Sequence, residues 1–206
     1  LLYTAKASET KIVDQEELDQ ALSLMGSAKY NQEFECSWIG NVPGSIYNDE
    51  LEVLEDNKRL TSVPFDPAYP VHTSFDIGYN DDTAIIFFQD IRSQIHIIDC
   101  FADHNQPFPY YAEILKQKPY SYGYHLAPHD IEVSEYSSGK TRREVAYQHG
   151  IKFRVVPKTL LDDGIHAVKM ILPRCKINVD TCKPLVDALR HYHRKYIEKD
   201  RVFKTK

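Results

Sequence analysis

The chain has 206 residues, of which 42% are hydrophobic and 27% charged, and its formal net charge is −5. This composition excludes a disordered chain, and the length suffices to bury a core without disulfides or a structural metal. No apolar run approaches the ~18 residues of a membrane helix, and no basic segment leading into an apolar one marks a signal peptide.

The chain begins Leu1-Leu2 without a Met and is expected to be a piece of a longer protein. Residues 8–34 are polar and acidic, with Leu18, Leu22 and Met25 at helical steps. Residues 35–70 carry the breakers Pro43-Gly44, Pro64, Pro67 and Pro70 and read as loop. Residues 1–70 are therefore expected to be a linker and arm packed on the rest of the chain. A strand is predicted from Val71 to Ile77 and a second, densely apolar one from Thr83 to Gln89. The turn-forming Gly78–Asp82 segment between them predicts a hairpin. Gln94–Cys100 reads as a third strand, Pro109–Gln117 as a helix and Tyr124–Ala127 as a short fourth strand. Thr141 and Glu144 form a capping box for a helix that runs to His149 and stops at Gly150. Ile151–Val156 reads as a fifth strand. Helices are expected from Asp162 or Asp163 to about Leu172 and from Thr181 to Tyr196, the latter with a Leu185, Leu189, Tyr192 stripe. Three meandering strands followed by alternating helices and strands predict an α/β fold, a mixed sheet flanked by helices.

Charge is unevenly distributed. Residues 1–139 hold 8 Lys and Arg against 23 Asp and Glu, a net of −15, whereas residues 140–206 hold 17 against 7, a net of +10. A basic C-terminal third suits a phosphate backbone and an acidic remainder suits cations, although solvated helix faces account for such a split equally well. The four cysteines, at 36, 100, 175 and 182, form no C-x-x-C pair and read as reduced thiols.

Three segments carry chemistry. In Ser74-Phe75-Asp76-Ile77-Gly78, Asp76 interrupts an apolar strand, where a carboxylate is costly unless paired or metal-bound. Asp82 lies across the expected hairpin as an accessory; the same segment also reads as a strand-end Asp capping a turn. In Ala127-Pro128-His129-Asp130, the proline forces an extended backbone ahead of the carboxylate. Neighbouring strand ends present side chains side by side, so Asp76 and Asp130 are expected to converge on a divalent cation. His129 reads as a neighbour that orients Asp130 or packs beneath it, with metal ligation as the lesser alternative. Ser134–Thr141 ends in Gly139-Lys140-Thr141 like a phosphate-binding loop, but lacks its first glycine and its leading strand. Lys140, Arg142 and Arg143, at the start of a helix, are instead candidates for DNA phosphate contacts.

These motifs resemble the nuclease domain of the large terminase subunit of tailed bacteriophages. The resemblance spans about residues 35–200. It rests on Gln32-Glu33-Phe34-Glu35-Cys36, Val42-Pro43-Gly44-Ser45-Ile46-Tyr47, Asp76–Ala84, Leu126–Asp130, Ser138–Glu144 and Asp162–Val168, in that order. It implies an RNase H-like nuclease domain over 35–206, with 1–34 as the arm from a packaging ATPase. It implies a carboxylate cluster, Asp76 and Asp130 with Asp82 as accessory, holding two Mg²⁺ or Mn²⁺ ions for phosphodiester hydrolysis. The implied substrate is double-stranded viral DNA. The implied partners are the small terminase subunit and the portal protein, in the host cytoplasm and transiently on the procapsid, with no membrane role. The family's third carboxylate, in a Ser-His-x-x-Asp-Ala segment, has no counterpart here, since Asp180 and Asp187 lie in other contexts; it is expected beyond residue 206. Two other readings stand beside this one: another RNase H-like nuclease, such as a junction resolvase, and a non-catalytic module that docks on DNA or the portal.

Overall fold

Side-chain burial in two strands determines which way the sheet faces. In β-strands successive side chains point to opposite sides, and Val71, Thr73 and Phe75, like Ile85 and Phe87, are buried on one side. The computed structural model describes residues 7–10, 12–34, 45–78, 82–134, 139–197 and 202–204. Helices α1 (Ala7–Thr10), α2 (Gln15–Phe34) and α3 (Asn48–Asp56) precede the short strand β1 (Leu60–Thr61). The meander β2 (Val71–Asp76), β3 (Thr83–Ile91) and β4 (Gln94–Asp103) comes after it. Next come α4 (Phe108–Gln117), β5 (Tyr122–Ala127), a 3-10 turn (His129–Glu132), α5 (Arg142–Gln148) and β6 (Phe153–Val155). The chain continues through α6 (Leu161–Ile171), β7 (Cys175–Asn178), α7 (Lys183–His191), β8 (Lys195–Ile197) and β9 (Val202–Lys204).

The chain divides into two compact units, one of residues up to Asn48 and from Leu189 onward, the other Asp49–Ala188. The second unit holds a seven-stranded mixed sheet in the order β1-β7-β4-β3-β2-β5-β6. β2 and β4 run antiparallel to β3, while β2-β5, β5-β6, β4-β7 and β1-β7 are parallel pairs. The predicted hairpin is present, with Asp76 opposite Ala84. One face of the sheet carries the core, in which Phe75, Ile85 and Phe87 meet Tyr111, Ala112 and Leu115 of α4 and Ala146 of α5. The predicted capping box on α5 forms, and Gly150 ends that helix at φ +87°, a conformation that favours glycine.

A buried amide fastens the loop that leads into β2. Gln89, fully buried, accepts from Asp66 N at 3.0 Å and donates to the carbonyls of Asp66 and Tyr69 at 2.7 and 2.8 Å. Gln89→Leu strands all three backbone groups. We expect it to cost about 2–4 kcal/mol, read as a lower urea midpoint at unchanged slope.

Several elements differ from expectation. The 35–70 stretch contains α3, whose Leu51 and Leu54 are buried and whose Asp49 and Glu50 suit a helix N-terminus; the prolines bracket it without interrupting it. β7 falls where no strand was expected, because its four residues are too short a run to mark a strand and become one only by pairing with parallel neighbours on both sides. α6 starts at Leu161 with Asp162 and Asp163 inside its first turn, so neither is the cap. α7 ends at His191, not Tyr196. Ile46 N donates to Tyr192 O at 2.9 Å and Ser45 bridges His193, which takes the backbone out of helical pairing. The expected boundary at 34/35 adjoins residues 35–44, which lie outside the described ones. Among the described cysteines, Cys100, Cys175 and Cys182 are free thiols; Cys36 lies outside.

Candidate active site

The register of β2 and β5 brings the two predicted aspartates together. These strands run parallel, with Ser74 beside Leu126, so their C-terminal ends emerge side by side. Asp76 is the last residue of β2. Asp130 comes after β5 in the 3-10 turn, once Pro128 at φ −68° and ψ 165° has carried the chain straight out of the sheet. Ile131, the next residue, is fully buried in the core cluster and fixes the turn that presents Asp130. Asp76, Asp82 and Asp130 line one cleft of about 440 Å³ with Ile77, Gly78, Val133 and Arg142.

The three carboxylates have different surroundings. Asp76 is exposed, which corrects the expectation that it is costly by burial: it points away from the core at the strand end, into the cleft. The burial cost falls on Asp130, whose Oδ1 is buried with no hydrogen-bond partner among the described residues. Asp82 is 66% exposed and lies 3.7 Å from His104 Nδ1. His104 also stands 3.8 Å from Asp103 Oδ1. The Tyr110 hydroxyl and the His104 N–H, both donating to Asp103 at 2.8 Å, hold that carboxyl below the usual range. His129 is exposed and does not line the cleft, so it does not pack beneath Asp130.

No family model and no curated protein matches this sequence. Solved structures do match. The large terminase of a thermophilic bacteriophage superposes with a TM-score of 0.56 at 15% identity, covering 95% of this chain and 48% of that one. The nuclease domain of the P22 large terminase gives a TM-score of 0.52 at 15% identity over 67% of this chain and 76% of that domain. The large terminase nuclease of thermophilic phage G20c, solved with bound cobalt, gives 0.50 at 15% identity over 74% and 87%. The fold is that of a large terminase nuclease domain. The chain spans about half the length of the first of these proteins, 48%.

A metal-binding role for this cleft can be tested on its own atoms. Leaving a buried carboxylate oxygen unsatisfied costs roughly 1–3 kcal/mol or more, and a cation at that position removes the cost. Asp130 Oδ1 is such an atom, and the oxygen-only donors of Asp76 and Asp82 suit a hard divalent ion. In kind these residues suit one. Among the described residues, however, no group of three His, Cys, Asp or Glu side chains is arranged to hold a metal.

The three predicted basic residues do not line one cleft: Lys140 and Arg143 border a different groove from Arg142. Arg142 lines the cleft, and its Nη1 donates to the Ile77 carbonyl at 3.3 Å, so a guanidinium stands beside the carboxylates. It also borders an adjoining groove of about 690 Å³ that includes Asn105, Gln106 and Phe108. Arg143 forms an ion pair with Glu132 at 2.7 Å, and Lys140 is exposed. Sequence reasoning missed His104 and Ile131. His104 gave no signal, since it meets Asp82 only through the β3-β4 pairing of Thr83 with Asp103. Ile131 was legible as an apolar residue directly after the motif aspartate.

Proposed function

We propose that this chain is the nuclease domain of a large terminase and cuts double-stranded viral DNA concatemers during genome packaging, as a divalent-metal-dependent endonuclease. The observation that carries the reading is the cleft shared by Asp76, Asp82 and Asp130, with the buried Asp130 oxygen left without a partner. The fold it shares with terminase nucleases, one of them solved with cobalt, supports it. Asp76 and Asp130 are the residues assigned to hold Mg²⁺ or Mn²⁺, with Asp82 as accessory; two ions are the proposed complement. Bound ions of this kind supply Lewis acidity, activating water and stabilising the leaving 3′ oxygen of a phosphodiester.

The remaining steps belong to the chain's own side chains. The carboxylates fix charge and geometry and do not act as nucleophiles. Arg142, whose guanidinium donates to the Ile77 carbonyl, is assigned to a phosphate oxygen of the scissile strand. Lys140 and Arg143 are assigned to flanking backbone phosphates, which requires Arg143 to exchange Glu132 for DNA. With a net charge of −5, affinity for isolated DNA is expected to be weak and to fall steeply with salt. The small terminase subunit, the portal and a transient place on the procapsid in the host cytoplasm are the proposed context. Among the described residues no helix is long and apolar enough to cross a membrane.

Plasmid nicking in Mn²⁺ tests the reading. The parent chain should cut and Asp76→Ala should not; undiminished cutting by the variant removes Asp76 from the chemistry. One observation favours a non-catalytic DNA- or portal-docking module instead: no three ligating side chains group together among the described residues. DNA binding without any cutting in Mn²⁺ would support that second reading.

A further inference from the structure

Two thiols unrelated to the carboxylate cleft meet at the start of α7. Cys182 directly precedes Lys183, the first helical residue, and is fully buried, while Cys100 on β4 is partly exposed. The Cys100 thiol donates to the Thr181 carbonyl at 3.4 Å. The Thr181 hydroxyl lies 3.6 Å from Cys182 Sγ and donates to Ile98 O at 2.8 Å, which fixes the turn between the two cysteines. Thr181 therefore touches both sulfurs, Cys100 Sγ through its carbonyl and Cys182 Sγ through its hydroxyl. The Leu185 N–H, one of the first-turn donors of α7 that have no partner within the helix, favours a Cys100 thiolate.

The arrangement treats the two sulfurs unequally. The Cys182 S–H, chiefly, and the Leu185 N–H stabilise a Cys100 thiolate and hold Cys100 at about 7, against desolvation and the nearby Asp99 carboxylate; Lys118, paired with Asp99, works in the same direction as the donors. The influence of the Cys100 sulfur and burial push the Cys182 thiol well up. An accessible thiolate beside a buried thiol is the arrangement of an attacking and a resolving cysteine.

We propose that Cys100 and Cys182 form a dithiol modification site that a small disulfide oxidant, of which oxidised glutathione is the probe, converts to an intramolecular disulfide. The Cys100 thiolate attacks one glutathione sulfur, forming a mixed disulfide and expelling a glutathione thiolate. Cys182 then loses its proton and attacks Cys100 Sγ, expelling the second. Two protein thiols are oxidised, one oxidised glutathione is reduced to two glutathiones, and the protons pass to them. The bond ties the start of α7 to β4 at Cys100, which pairs with Ile86, itself paired with Ser74 on the strand that ends in Asp76. The proposal is independent of the nuclease reading.

The experiment uses the full 206-residue chain carrying Cys36→Ser, treated with oxidised glutathione at neutral pH and mapped by mass spectrometry without reduction. The expected product is a Cys100–Cys182 cross-link with Cys175, buried and pushed up to about 11, left unmodified. Adding Cys182→Ser should leave glutathione trapped on Cys100. Reaction speed discriminates less: half-ionisation at neutral pH gains over an ordinary thiol, but lower nucleophilicity cuts the advantage to about threefold. Glutathione accumulating on Cys100 of the Cys36→Ser protein without a cross-link would overturn the proposal. So would modification of Cys175 ahead of Cys100, a readout that needs no change at Cys182 and so survives a folding defect there.

Discussion

Asp130→Asn is expected to leave the metal-free protein at least as stable as the parent and to abolish its response to Mn²⁺. The parent keeps a buried carboxylate oxygen without a partner among the described residues, in a cleft that two further aspartates line. Asn keeps an oxygen at the same place without the charge, so the metal-free variant should melt no lower than the parent. Mn²⁺ at about a hundredfold over its Kd should stabilise the parent by about 2.7 kcal/mol and the variant by almost nothing. Plasmid cutting should fall at least about 100-fold, since loss of even an outer-sphere partner of a metal ligand costs 10- to 100-fold. Thermal melts with and without Mn²⁺ read both halves. A variant that melts several degrees below the parent without metal would show that Asp130 has a structural partner and would remove the ion-site argument.

Ile131→Ala should have the largest effect on stability and should damage the site without touching a carboxylate. Ile131 is fully buried in the core cluster, and the 3-10 turn that carries Asp130 hangs from it. Truncating a buried Ile costs about 2–5 kcal/mol, through lost transfer energy and the cavity left behind. Ile131→Val should cost only about 0.5–1.5 kcal/mol. With its anchor gone the turn is free to shift, and a misplacement of about 1 Å in a catalytic constellation can cost about 100-fold in rate. Chemical denaturation measures the first effect, and nicking in Mn²⁺ at a temperature where the variant is folded measures the second. Full cutting by a folded Ile131→Ala would mean that Asp130 is positioned by something other than its buried neighbour.

The meander was legible in the sequence because its signals are local. Dense apolar runs in Thr83–Gln89 and the turn chemistry after Ile77 specify β2, β3 and their hairpin whatever lies around them. The α5 capping box was legible for the same reason, since Thr141 and Glu144 satisfy each other within one turn. β7 was not, because its four residues are a strand only by pairing with β1 and β4. α7 ended early because Ile46 and Ser45 pair with the backbone of Tyr192 and His193, just past its end.

The candidate site divides along the same line. Residue identities alone marked Asp76 and Asp130, each as a carboxylate set beside apolar strand residues, together with the basic start of α5. Their meeting depends on β2 and β5 being parallel neighbours, a pairing between segments far apart in the chain that no local preference encodes. Tertiary structure likewise decided which aspartate carries the burial cost, because burial is set by what packs around an atom: Asp76 ends on the open side of its strand, while Asp130 is drawn inward by Ile131. It also placed Arg142 against the Ile77 carbonyl and spent Arg143 on Glu132, a distinction between adjacent arginines that sequence cannot make, since each guanidinium goes to whichever acceptor the folded chain brings within its reach.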